Sequence, residues 1–142
     1  MTTRNSEFWA AIDRLIEASE IVIDRPKGSA HPRYPDSIYR VDYGYLKNTS
    51  SMDRGGIDVW VGTNGRKCDA VMCIVDLLKK DSEIKILIGC TEEEKTIVYG
   101  VHNETESMKG IFRASPQIGI RSGCPDWALR SGMMRTFRVP YS

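Results

Sequence analysis

The sequence predicts an α+β domain: about five short strands closing into a small β-barrel, flanked by one helix at the N-terminal end and one at the C-terminal end. Three observations predict it. Short apolar or alternating runs follow one another between turn residues from about residue 20 to 90. Apolar residues at helical spacing occur only before and after that stretch. No helical pattern lies between the strands, as a parallel sheet built from crossover helices would require.

The elements can be justified in order. Ser6 is placed to cap a first helix, with Glu7 in its first turn and Phe8, Ile12, Leu15 and Ile16 on one face. Residues 20–24 read as a short strand. Three prolines and Gly28 make 25–36 a loop. Residues 38–45 return to strand, Asp53-Arg-Gly-Gly is a turn, and 58–61 is the next strand. Val71 to Leu78 is apolar enough for a strand buried on both faces. Lys79-Lys-Asp-Ser turns it into the returning strand 83–88. Thr91-Glu-Glu-Glu94 matches a capping box, and Ile97, Val98, Val101 and Met108 supply the buried face of a helix reaching about Lys109.

Composition narrows the classes. Hydrophobic residues at 41% and charged residues at 27% exclude disordered and fibrous chains. A net charge of +1 gives no general reason to bind nucleic acid or an anionic membrane. The longest apolar run, Ala70 to Val75, is six residues, far short of the roughly 20 a spanning helix needs. No apolar signal core opens the chain, so a cytoplasmic location is expected. The four cysteines, with no metal or redox spacing, read as reduced, buried thiols. Neither His31 nor His102 has a neighbouring ligand pattern.

Charge also divides the chain. Up to Gly110 there are 15 basic and 18 acidic residues; from Ile111 onward five arginines face only Asp126. The expected organisation is therefore a barrel domain over 1–110 and a basic, irregular tail over 111–142.

Three groups carry candidate chemistry. Asp81, Glu83 and Lys85 project to one side of their strand while Ile84, Ile86 and Ile88 face the other. On an open face such a row is a solvated stripe; in an enclosed one it is a site. Asp53 and Asp58 flank a Gly-Gly turn able to bring both carboxylates to the mouth of a barrel. Four carboxylates meeting at one point would suit Mg²⁺. Arg25, Lys27, Arg33 and Lys47, with Tyr39, Tyr43 and Tyr45, form a basic and aromatic group that could clamp phosphate oxygens from the opposite side.

Ile21-Val-Ile-Asp-Arg-Pro-Lys-Gly, Val41-Asp-Tyr-Gly-Tyr45, Asp53-Arg-Gly-Gly-Ile-Asp-Val59 and Asp81-Ser-Glu-Ile-Lys85 occur in that order. Together they resemble the soluble family I inorganic pyrophosphatases over roughly residues 20 to 90. The resemblance implies a five-stranded, OB-like barrel with flanking helices. It implies Asp53, Asp58, Asp81 and Glu83 as metal ligands for Mg²⁺, with Mn²⁺ as a substitute. Tyr43, Lys85 and Arg33 fall at catalytic positions, and Lys27, Arg33, Tyr43 and Lys85 at phosphate-binding ones. Asp24 falls where the family has glutamate. The middle acid of the aspartate cluster is replaced by Gly55, preceded by Arg54, and the Tyr-Lys pair of the C-terminal helix has no counterpart.

The expected function is therefore Mg²⁺-dependent hydrolysis of diphosphate, slowed by the missing acid. The alternative is a non-catalytic phosphate- or nucleotide-binding barrel. The expected partners are a small phosphorylated ligand and further copies of the chain, with neither membrane nor nucleic acid. A third class, a nucleic-acid-binding barrel using Trp60, the tyrosines and the arginine-rich tail, is opposed by the charge balance of 1–110.

Overall fold

The computed structural model describes residues 3–52 and 54–116. Helix α1 (Thr3–Glu17) precedes strands β1 (Ile21–Arg25), β2 (Asp42–Leu46), β3 (Ile57–Val61), β4 (Cys68–Asp76) and β5 (Asp81–Ile88); helix α2 (Glu92–Val101) and strand β6 (Met108–Ala114) follow. The strands form one sheet in the order β1-β2-β3-β5-β4-β6. All neighbours are antiparallel except β3 and β5.

The expected closed barrel of five strands is thus corrected to an open, mixed sheet of six with β1 and β6 at its edges. The parallel pair needs no crossover helix, because β4 is itself the connection. The chain leaves β3, runs out along β4 and returns on β5, whose register sets Val59 opposite Ile86 and Trp60 opposite Leu87.

The sixth strand arises where a longer helix was expected. The capping box at the start of α2 is present, with Thr91 accepting from the Glu94 N–H at 3.1 Å and Glu94 accepting from the Thr91 N–H at 2.8 Å. The helix stops at Val101 because Asn103 offers the backbone a better alternative. Its amide donates to the carbonyls of Tyr99 and Gly110 and accepts from the Gly110 N–H. Met108, Gly110 and Phe112 then point inward, alternating with Lys109, Ile111 and Arg113.

At the N-terminal end, α1 begins before Ser6, which is inside the helix rather than its cap. Trp9 and Ile16 are its most buried side chains, while Phe8 stays 45% exposed at the margin.

The sheet has two apolar faces. Leu46, Val59, Val71, Ile86 and Ile88 pack with Trp9, Ile12 and Ile16 of α1. Val41, Trp60, Met72, Leu87 and Phe112 pack with Ile97 and Val98 of α2. Among the described cysteines, Cys68 and Cys90 are buried but Cys73 is exposed, because β4 turns it toward the α1 face beyond the reach of that helix. Cys124 and residues 117–142 of the expected tail lie outside the described residues. Among the described residues no helix is long and apolar enough to cross a membrane.

Candidate functional site

Alternation along β2, β3 and β5 sends Tyr43, Asp58, Trp60, Glu83, Lys85 and Leu87 to the face shared with α2. The β2–β3 register puts Tyr43 opposite Trp60 and Tyr45 opposite Asp58, and the parallel register carries Asp58 alongside Lys85. Gly44 is required between the two tyrosines. A Cβ there would lie 1.8 Å from the carbonyl oxygen of Val22.

Four polar side chains meet on this face. The Lys85 ammonium donates to Asp58 Oδ2 at 2.6 Å, to the Tyr43 hydroxyl at 2.8 Å and to Glu83 Oε1 at 2.9 Å. Tyr43 in turn donates to Asp58 Oδ2 at 2.6 Å. The three N–H bonds of the ammonium are therefore all used. The Lys85 side chain is 7% exposed, against 26% for Asp58 and 21% for Glu83, so the cation lies deeper than its carboxylates.

Burial works against the Lys85 charge, but Tyr43 and Asp58 outweigh it and hold the ammonium above its ordinary range. Burial, reinforced by Asp58 and opposed by Lys85, pushes the Tyr43 phenol up. At neutral pH the pair is an ammonium and a protonated phenol.

A second cation joins from β1. The β1–β2 register slips between Ile23 and Arg25, so that Arg25 rather than Asp24 stands opposite Tyr43. Its guanidinium donates to the Tyr39 hydroxyl at 2.7 Å and lies over the rings of Tyr39 and Tyr43 at 5.8 and 5.7 Å. Asp24 is left exposed. An aromatic series continues inward from this point: Tyr39 stacks on Tyr43 at 5.6 Å, and Tyr43 meets Trp60 edge-on at 4.6 Å.

Of the site residues expected from the sequence, Tyr43, Asp58, Glu83 and Lys85 come together, and Asp81, Lys27 and Arg33 do not join them. Asp81 opens β5 opposite Asp76, about 13 Å along the strand from Lys85 at ~3.3 Å per residue. Lys27 and Arg33 lie on the exposed loop between β1 and β2. Their backbone N–H groups donate to Asp42 Oδ1 at 2.7 Å and His31 Nδ1 at 3.0 Å. Asp53 lies outside the described residues.

Among the described residues, no three His, Cys, Asp or Glu side chains gather to hold a metal ion. Asp58 and Glu83 are joined through Lys85.

The sequence shows Arg25 only as part of a basic group. The bulge that turns it inward leaves no signature beyond Asp24 and Arg25 at the end of a strand. Nothing in the sequence marks His102. Its indole partner, Trp60, is 42 positions away in the chain, and no spacing rule connects the two.

No family model and no curated protein sequence matches this chain. Solved structures do. An inorganic pyrophosphatase from Neisseria gonorrhoeae is 15% identical with a TM-score of 0.50, over 82% of this chain and 89% of the other. An inorganic pyrophosphatase from Helicobacter pylori is 12% identical with a TM-score of 0.47, over 82% of this chain and 91% of the other. The chain is thus similar in fold to an inorganic pyrophosphatase, at 15% sequence identity.

Proposed function

We propose that the chain hydrolyses inorganic diphosphate to two phosphates at the Tyr43–Asp58–Lys85–Glu83 cluster. One observation carries the proposal: a buried ammonium held between two carboxylates and a phenol, on a fold similar to an inorganic pyrophosphatase.

The chemistry follows from charge. A diphosphate resists attack because each phosphorus is already screened by negative oxygens, so catalysis is largely neutralisation and positioning. The Lys85 ammonium is a positive charge held in place by its partners, and Tyr43 is a donor of fixed direction. A phosphate oxygen taking one Lys85 N–H displaces one of its acceptors. Glu83 forms the longest of the three bonds, and its release frees a carboxylate to accept a proton from the attacking water. The water oxygen bonds to one phosphorus, the bridging P–O bond breaks, and the departing phosphate leaves toward Arg25. Arg33 and Lys27 are the proposed phosphate contacts from the loop.

Lys85, Arg25, Asp58 and Glu83 together carry no net charge. The substrate therefore needs cations from elsewhere, and a requirement for Mg²⁺ or Mn²⁺ is part of the proposal. The pyrophosphatases that the sequence resembles carry an acid where this chain has Gly55; here Glu83 takes the proton only after leaving Lys85, so turnover is expected to be slow.

Saturation of the Lys85 donors favours a second reading, a phosphate- or nucleotide-binding protein without turnover. Calorimetry alongside phosphate release, each with Mg²⁺, Mn²⁺ or chelator, separates the two. Binding with metal-dependent release supports the hydrolase, and binding without release supports the second reading. A release rate no higher than that of the Lys85→Ala, Asp58→Ala double variant rejects hydrolysis at this site.

A further inference from the structure

His102 caps the C-terminal end of α2 and is 5% exposed. Its Nε2 accepts from the Trp60 indole Nε1 at 3.1 Å, with the two rings edge-to-face. An indole nitrogen can only donate. Nε2 must therefore be bare, and in the neutral ring the proton sits on Nδ1. That nitrogen is buried without a hydrogen-bond partner among the described residues. Burying a polar ring carries a cost that an apolar side chain at 102 would avoid. Something else must favour the imidazole.

Trp60 identifies it. The indole is 2% exposed and meets Tyr43 edge-on at 4.6 Å, with Tyr39 against it at 5.9 Å. The Tyr43 hydroxyl is the atom that both donates to Asp58 and accepts from Lys85. The indole, pinned at its nitrogen, sets where the phenol ring can lie, and hydrogen bonds of 2.6 and 2.8 Å tolerate little displacement of that ring.

We propose that His102 is a positioning residue. As a neutral ring protonated on Nδ1, it fixes the Trp60 indole, and the indole fixes the Tyr43 hydroxyl between Asp58 and Lys85. The effect on turnover rests on the reading of that network as the phosphate-contacting site; the effect on geometry does not. Burial, and next Lys85, oppose a second proton on the ring, while Asp58 favours one. The ring stays neutral throughout the working range.

Three variants of the full chain test this. His102→Gln offers an amide oxygen to the indole, His102→Leu fills the space without an acceptor, and Trp60→Phe keeps the aromatic edge without a donor. Nitrogen-15 NMR reads the His102 ring nitrogens and carbon-13 NMR the Tyr43 ring, both without ligand. Phosphate release from diphosphate with Mg²⁺ reads turnover.

The wild-type protein should show a bare Nε2 and a protonated Nδ1. Tyr43 signals should move in His102→Leu and return toward wild type in His102→Gln. The leucine variant should lose about 10- to 100-fold in kcat with KM little changed, and glutamine should recover most of it. In Trp60→Phe the lone Nδ1–H tautomer should give way to a mixture.

A protonated Nε2 in the wild type would overturn the proposal. So would a folded leucine variant with unmoved Tyr43 signals and undiminished turnover, or a single tautomer retained in Trp60→Phe. Should wild-type protein release no phosphate, the hydrolase reading falls alone, and the NMR results still decide the role of His102.

Discussion

Lys85 is the residue that holds the polar cluster together. Its stem runs through the core and its ammonium compensates two carboxylates at once. Lys85→Ala leaves Asp58 and Glu83 facing each other with no cation between them. Breaking a buried pair costs about 3–5 kcal/mol. These carboxylates are partly exposed and water can relieve them, so we expect about 2–3 kcal/mol, read as a lower urea midpoint at unchanged slope. Two other buried groups contribute opposing terms to the acid response. Burial, with Lys85, pulls His102 from its ordinary 6.5 to about 3. Burial, only partly offset by the Cys90 N–H and Lys95, pushes Asp69 from 3.8 up to about 6. Between those limits the unfolded chain protonates His102 and the folded one does not, so this term costs stability as pH falls from about 6.5. The folded chain protonates Asp69 first, so that term adds stability as pH falls through about 6 toward 4. The two oppose each other. Thermal or urea denaturation across pH 4–7 should show Asp69→Asn losing stability more steeply with acid than wild type. His102→Gln should fare better than wild type over the same fall; parallel curves for all three would refute the assignment.

The two elements of the C-terminal half make separate predictions. Thr91 and Glu94 bond reciprocally at the start of α2, so Thr91→Ala should cost about 1 kcal/mol, and hydrogen exchange should quicken first in that turn. Phe112 of β6 is 2% exposed within the α2-side core. Phe112→Ala should cost about 3–5 kcal/mol, against well under 1 kcal/mol for an exposed neighbour such as Lys109→Ala. That contrast checks that the sheet continues past residue 110. Alternation at Met108, Gly110 and Phe112 was present in the sequence. It was outweighed by Met108 falling at helical spacing from Val101 and by the change of charge at 111. The β4–β5 hairpin and the capping box were legible because each is local: turn residues between apolar runs, a hydroxyl three positions before a carboxylate. The bulge at Asp24 and the Asn103 turn depend on partners brought in by tertiary structure, and neither could be read from spacing.

Across the whole molecule, the candidate site was legible only in part, for a reason of geometry. Glu83 and Lys85 share a strand face, so alternation alone places them together. Asp58 and Tyr43 join them through sheet order, and that order contains a parallel pair no local signal announces. Arg33 and Lys27 belong to a loop whose course is set by packing, with His31 stacked on Tyr39 at 6.0 Å. The measurement that tests the central claim most directly is phosphorus-31 NMR of diphosphate incubated with the full chain and Mg²⁺. With wild-type protein the diphosphate resonance should give way to that of phosphate, while with folded Lys85→Ala it should persist. Equal decay in both samples, or none in either, would contradict a diphosphate-cleaving role for the Lys85 cluster.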